Sequence, residues 1–365
     1  MTQVLHVLST EASFQSRRGA EALSRDPGNA FAADIKTIGR GGAWRSLPFA
    51  VQGLDHARCD VVHAWDNRSL LAAMLAGRSR IAFTPPCQPT RRQSSLVRTI
   101  VKRWKIALIC DSEVGRRAWI AAGAPPDRCH LIRPGVATDP VMCQRDPVLR
   151  AALGFSESDH VVLAVGESTD TARHDLSVWS VSILHVLDRS QRMLLWGRGR
   201  AWRPALRLAI RDADSEWYSV AETKLRRAVE FDELCSAADM ALVTAQGAVA
   251  TLPIAICMAR GIPIVATPSP IVSEMLEDGV TAMMAPPRAR QIAREISELR
   301  ASPSLQQTLS TNATAQARDR FAPSRCIAQH RELYTQMADG KRIDVPCSES
   351  RSPAPQPGSE EFIIS

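Results

Sequence analysis

The chain has 365 residues, enough for two ordinary hydrophobic cores. Hydrophobic residues make up 45% and charged residues 23%, the balance of a soluble globular protein, and no apolar run reaches membrane-spanning length. The net charge of +7 sits in the first part of the chain, where residues 1–140 hold 20 Lys and Arg against 11 Asp and Glu.

That excess suggests an anionic partner for the N-terminal half, an acidic lipid, a phosphorylated acceptor or nucleic acid; Arg-rich composition alone is the other explanation. The first residues lack a basic segment followed by an apolar one, so a cytoplasmic protein is expected. Val4–Leu8 reads as an apolar strand, Ala32–Ile38 as a second and Asp60–Ala64 as a third. His63, Trp65 and Asp66 then fall at the carboxyl end of a parallel strand, where active-site groups gather. The alternative is a histidine packed within the sheet and an aspartate capping the helix Asn67–Ala76. Arg80–Thr84 is the next strand, followed by Pro85-Pro86. Over Ser94–Lys105, Leu96, Val97, Ile100, Val101 and Trp104 recur at helical spacing, with Arg98, Lys102, Arg103 and Lys105 largely off that stripe. Such a helix can lie on an anionic membrane, which would make the protein peripheral to the inner membrane face, or pack as ordinary core with solvated charges. Ile106–Cys110 is a strand, Asp111-Ser112-Glu113 opens a helix to Gly123, and Leu131–Val136 gives a strand and turn.

Thr138–Arg150 reads as a hinge, after which Val161–Gly166 starts a second set of strands. The loop behind it runs Gly166 to His174 and carries Glu167, Asp170 and Arg173. In Met193–Gly199, Gly197 and Gly199 allow close backbone approach to a nucleotide. Trp196 and Trp202 either stack on a base or fill a core. Trp217–Val220 is a short strand. Met240–Val243 and Ile262–Ala266 are strands around the apolar helix Leu252–Arg260, opened by Thr251 and closed by Gly261. Such a βαβ unit places ligands beyond the strand ends, and the helix start at Thr251 offers backbone N–H groups to an anion. Three helices follow, Ala289–Ala301, Pro303–Gln316 and Pro323–Met337, and a Pro- and Ser-rich tail from Asp339 is expected to be disordered. The nine cysteines are scattered without a C-x-x-C or a Cys/His cluster, which argues against structural zinc and makes Cys110, Cys235 and Cys257 reduced core residues.

The stretch Leu234–Pro287 resembles the signature of the retaining glycosyltransferases of family 4 (group 1). That pattern is close to E-G-F-G-L-P-x-x-E-A-M-A-x-G-x-P-V-V-A, then P-E-x-V-x-D-G-x-T-G-x-L-V-P-P. Leu252, Pro253, Met258, Ala259, Gly261, Pro263, Val265 and Ala266 match it, as do Glu274, Asp278, Gly279, Thr281, Pro286 and Pro287. Upstream, LIRPGV at Leu131–Val136 and the Leu234–Asp239 segment resemble further motifs of the family.

The resemblance implies an α/β GT-B fold, two Rossmann-like domains facing across a cleft. Residues 1–137 would form the first domain and 138–322 the second, with 323–338 a helix crossing back to the first and 339–365 the tail. It implies transfer of a hexose, with retention, from a nucleotide-diphosphate sugar to an acceptor, without a metal and with no cofactor beyond that donor. His63 and Asp66 take the family's catalytic positions. Gly166, Arg173, Gly197, Gly199, Thr251, Leu252 and Glu274 take positions that hold the donor. The chain departs from the pattern at several ligand-facing places. The two glutamates of the signature fall on Ala248 and Ile256, the second where the family bonds the donor ribose. Glu167 replaces an arginine, Ser269 and Pro270 a glycine pair, and Pro85 a histidine. Together these departures open a second possibility, a catalytically impaired GT-B-like protein acting as a binding or partner subunit. Nucleic-acid binding is not expected, since no helix-turn-helix or aromatic platform is visible.

Overall fold

The computed structural model describes residues 2–25, 32–38, 54, 59–89, 100–138, 145–167, 169–196, 217–247 and 249–340. The expected strands form two separate six-stranded sheets with every pairing parallel. The first contains β1 (Gln3–Ser9), β2 (Ala32–Ile38), β3 (Val61–Ala64), β4 (Ile81–Phe83), β5 (Ala107–Cys110) and β6 (Cys129–Leu131), in spatial order β2-β1-β3-β4-β5-β6. The second contains β7 (His160–Ala164), β8 (Gln191–Leu195), β9 (Tyr218–Val220), β10 (Met240–Val243), β11 (Ile264–Ala266) and β12 (Met283–Met284), in order β12-β11-β10-β7-β8-β9. Of the strand and turn expected over Leu131–Val136, the strand ends at Leu131; Pro134 has no N–H for a ladder, and Val136 N–H donates to the Phe321 carbonyl.

Strand alternation builds the first core in two layers. Leu5, Val7, Val62, Ile81 and Leu108 face one side and pack with Trp119 of α3 (Glu113–Ala121), behind α1 (Phe14–Ser24) and α2 (Asn67–Leu75) in chain order. Val4, Leu8, Val61, Ala82 and Ile109 face the other, against Ala20 and Leu23 of α1. In the second half come α4 (Pro147–Leu153), α5 (His174–Leu187), α6 (Ala221–Leu225), α7 (Phe231–Leu234), α8 (Thr251–Ala259), α9 (Pro270–Met275), α10 (Ala289–Arg300), α11 (Pro303–Arg320) and α12 (Pro323–Ala338). Every residue of α8 is buried, which accounts for its lack of any polar face. Leu333, Tyr334 and Met337 of α12 complete the Val4/Leu8 layer, so the last helix does return to the first sheet. The two-domain GT-B architecture is therefore as the residues led us to expect.

Of the basic amphipathic segment, positions 94–99 lie outside the described residues. Residues 100–104 are helical, Val101 is buried in the first core, and Ile100 and Trp104 pack against it. Positions 341–365 of the tail also lie outside the described residues. Among the described residues no helix is long and apolar enough to cross a membrane.

Candidate active site

Strand order reverses between β1 and β3 in the first sheet and between β7 and β10 in the second. Loops leaving such a reversal splay apart, and the crevice between them takes ligands. Here both reversals open onto one cavity of about 350 Å³. Glu11–Ala12 and Gln15 line it from beyond β1, Trp65 and Asp66 from beyond β3, and Gly166, Glu167 and Thr169 from beyond β7. Val249 and Ala250, ahead of α8, close the far wall.

A second cavity of about 320 Å³ lies on the other side of Gln15 and Asp111, which line both. Its walls are α1, the Arg133–Ala137 segment, α12, Leu252 and Ile256 of α8, and Arg260 just past that helix. The partition is a chain of hydrogen bonds. Gln15 Nε2 donates to Asp111 Oδ2 at 2.7 Å, the Thr251 hydroxyl donates to the same oxygen at 2.8 Å, and the Leu252 N–H donates to Gln15 Oε1 at 3.1 Å.

Charge is divided between the compartments. Around the first, the charged lining is Glu11, Asp66, Asp111 and Glu167, with no Lys or Arg among the described lining residues. Around the second stand Arg18, Arg25, Arg133 and Arg260 against Glu21, Asp111 and Asp232. Arg18 donates to Asp232 Oδ2 at 2.9 Å and Arg260 reaches the same oxygen at 3.9 Å, so one carboxylate serves two cations. Deep in the second compartment, burial pushes the His330 ring down to about 4 and keeps it neutral. In the first, burial and then Asp111 push the Cys87 thiol up to about 12, so it is no nucleophile.

The expected site residues are only partly brought together. Gly166 stands at the first compartment with φ +97°, and nothing lies within 4 Å of where a side chain would begin, so the backbone there is open to a ligand. Thr251 is the first residue of α8 rather than its cap. Ala250 precedes it and offers no capping side chain, and the Leu252 N–H in the first turn is held by Gln15 from across the cleft. Gly197, Gly199, Trp202 and Ala248 lie outside the described residues.

The remaining four have structural duties. His63 is fully buried on β3, with Nδ1 at 2.7 Å from the Tyr334 hydroxyl and Nε2 at 2.8 Å from Thr84 Oγ1. Both ring nitrogens are occupied, and burial, with His6 and His330 nearby, holds its pKa well below the usual value. Asp66 caps α2: its oxygens accept from the N–H groups of Arg68, Ser69 and Ser9 and from the Ser69 hydroxyl. The catalytic pair expected from position is thus a sheet histidine and a helix cap. Arg173 lines neither cavity. Its guanidinium is turned onto Asp175, 3.0 Å away, and onto Gln246. Glu274, expected beside a ribose, instead accepts from the N–H groups of Glu113 and Val114 at 2.8 and 2.9 Å, and Arg133 stands 3.4 Å away.

Phe14, Gln15, Asp111 and Glu167 shape the cleft in ways their sequence contexts do not announce. Ser13 caps α1 by accepting from Ser16 N–H, which fixes the helix start. Glu167 reaches across and accepts the Phe14 N–H at 2.8 Å. Phe14 itself, 3% exposed, belongs to the core of the second domain. Its ring meets Trp196 edge-on at 5.0 Å and lies 6.4 Å from Phe231. Burying such a ring contributes about 1.5–3 kcal/mol. Trp196, a candidate base-stacking residue, spends its edge on the Val229 carbonyl and its neighbourhood on Phe14 and Phe231. Among the described residues no group of three or more His, Cys, Asp or Glu side chains could hold a metal ion.

Comparison with known proteins agrees with this geometry. Residues 159–302, which carry Gly166 and all of α8, match the family model described as Glycosyl transferases group 1. No curated protein matches the chain. Among solved structures, Anabaena HepE in complex with UDP and glucose superimposes with a TM-score of 0.72 at 16% identity, covering 92% of this chain and 100% of that one. Sucrose-phosphate synthase from Thermosynechococcus elongatus gives a TM-score of 0.72 at 16% identity, with 93% and 100% covered. A glycosyltransferase from Rickettsia africae gives 0.68 at 12% identity, with 92% and 98% covered. Residues 159–302 thus match the group 1 glycosyltransferases, within a chain that has the GT-B fold.

Proposed function

We propose that this protein transfers a hexose from a nucleoside-diphosphate sugar to an acceptor hydroxyl, with UDP as the carrier and with retention at the sugar carbon. The observation that carries this is the match of residues 159–302 to group 1 glycosyltransferases, because that segment supplies one whole wall of the cleft. The neighbour HepE is a complex with UDP and glucose, which supports the same class of donor here.

The chemistry asked of the protein is electrostatic. As the bond between sugar and diphosphate breaks, negative charge grows on the leaving oxygens, and fixed dipoles aimed at that point lower the barrier. The uncapped start of α8 supplies such dipoles at Thr251 and Leu252, and Gly166 lets the facing backbone come close. Arg18, Arg133 and Arg260 suit the cationic compartment to the diphosphate and nucleoside. Carboxylates at Glu11, Asp111 and Glu167 suit the sugar side, where hydroxyl groups need acceptors. Arg173 has no part in this scheme. The surplus of positive charge over residues 1–140 favours an anionic acceptor, a phosphorylated molecule or an acidic membrane surface, approaching from the first domain.

Titration calorimetry with UDP-glucose and other UDP- and GDP-sugars, followed by an assay for released nucleotide, tests the proposal. Binding with turnover is expected. Binding without transfer or hydrolysis would mark a non-catalytic relative, and no binding to any of them would sink the donor assignment. Ile256→Glu adds a sharper reading. The buried Ile256 lines the second compartment beside Arg260 and cannot accept a ribose hydroxyl. A hydroxyl left without a partner costs about 1–3 kcal/mol, so the variant is expected to bind UDP roughly tenfold more tightly. Unchanged affinity would place the ribose elsewhere.

A further inference from the structure

Three helix starts border the cleft, and in each at least one first-turn amide is taken by a side chain from the opposite domain. The N–H of Phe14, opening α1, donates to Glu167. The N–H groups of Glu113 and Val114, opening α3, donate to Glu274. The N–H of Leu252, in the first turn of α8, donates to Gln15. These are the places where a fold of this kind would receive an anion.

Gln15 is the most telling of the three. Its carboxamide oxygen stands 3.1 Å from Leu252 N, the position a phosphate oxygen would take at the start of α8. Its nitrogen end is fixed by Asp111, which also holds Thr251. The residue before it, Phe14, is sunk among Trp196 and Phe231 of the second domain. One turn further on, Arg18 is clasped by Asp232 and Glu230. This first stretch of α1 separates two cavities of about 320 and 350 Å³ that would otherwise join over α8. A nucleoside diphosphate sugar reaching from the arginine side to the carboxylate side has to cross Gln15.

We propose that the start of α1 is a self-occluding plug: Gln15 stands in for a donor phosphate on α8, and binding of the nucleoside diphosphate displaces it. The inference rests on the donor reading given above. A diphosphate outcompetes a neutral carboxamide because its hydrogen bonds to the same amide are charge-assisted. Withdrawing Gln15 leaves Asp111 held by Thr251 and Ser112 and merges the compartments. Donor affinity is therefore reduced by the fraction of molecules in which the plug is seated.

The test compares wild type, Gln15→Ala and Glu167→Gln, the second variant weakening the hold on Phe14 without changing shape. UDP affinity is measured by calorimetry, and amide hydrogen exchange of the α8 first turn is followed without UDP. Faster exchange at Leu252 and about tenfold tighter UDP binding are expected for Gln15→Ala, with a smaller shift in the same direction for Glu167→Gln. Faster exchange with UDP affinity equal to or weaker than wild type would overturn the plug and leave the donor reading standing. Unchanged exchange would overturn it as well. Absence of UDP binding in all three proteins would overturn the plug together with the donor reading.

Discussion

Replacing Arg150 by alanine is expected to lower the unfolding free energy by about 3–5 kcal/mol, the usual cost of removing one partner from a buried charged network. Arg150 lies on α4 with 1% of its side chain exposed. One end of its guanidinium donates to the Ala237 carbonyl at 2.9 Å and to Asp239 Oδ2 at 3.1 Å. The other donates to the Ser156 and Asp159 carbonyls. Asp239 also accepts the Val161 N–H at 2.7 Å and pairs with Arg145. One side chain thus ties the entry of the second domain to the starts of β7 and β10. Alanine leaves buried carbonyls without donors and Asp239 without one of its two arginines. Lysine cannot repair this, since a single ammonium lacks the planar fork that reaches both sides, so Arg150→Lys should lose most of the same stability. The exposed neighbour Val148 serves as control: Val148→Ala should change little. Urea unfolding followed by tryptophan fluorescence reads the difference. A loss below about 1 kcal/mol for Arg150→Ala would mean that the network is not what holds α4 in place.

Acid should be equally costly to the first domain. Burial pushes His6 to about 3 and His330 to about 4, and holds His63 well below its ordinary value. In the second domain burial pushes His174 to about 4, and in the first His130 also falls to about 4. In the unfolded chain these rings protonate near pH 6.5. Between that value and the folded one, the unfolded state binds more protons than the folded state. Stability is therefore complete above about pH 6.5 and is lost as the pH falls below it. At pH 5 each of His6, His130, His174 and His330 costs about 2 kcal/mol by linkage, and His63 adds in the same direction, so the group together removes much of an ordinary domain's stability. His6 and His63 lie under α12, which itself carries His330, and His63 is bonded to Tyr334 of that helix, so α12 is expected to detach first. Unfolding measured from pH 8 to 5 should show stability falling steeply below pH 6.5, and His330→Gln should flatten the slope. A profile flat across that range would contradict the buried, neutral state of these rings.

The protein's own sequence determined which segments are strands and helices, their order, and the resemblance of the second domain to group 1 glycosyltransferases. Those properties are local or periodic. Short apolar runs mark β1 and β10, unbroken apolarity marks α8, and Ser, Asp and Pro mark helix starts at Ser13, Asp66 and Pro323. Even the structural duty of Asp66 is visible three residues away, in the amides it caps. Which polar groups face the ligand cleft was decided only by how the domains dock. Glu167 meets Phe14 across 153 residues, Glu274 meets Glu113 across 161, and Gln15 meets Leu252 across 237. No periodicity encodes such pairs, because each depends on the relative placement of two independently folded sheets. Arg173 illustrates the reverse case: a cation at a motif position, which the structure turns onto Asp175 two residues on. His63 sits at the right strand end, but its side chain points into the layer that α12 covers, and a helix 271 residues away claims its nitrogen. The sequence sets what each element is; docking of α1 and α12 across the two sheets sets which side chains the cleft receives.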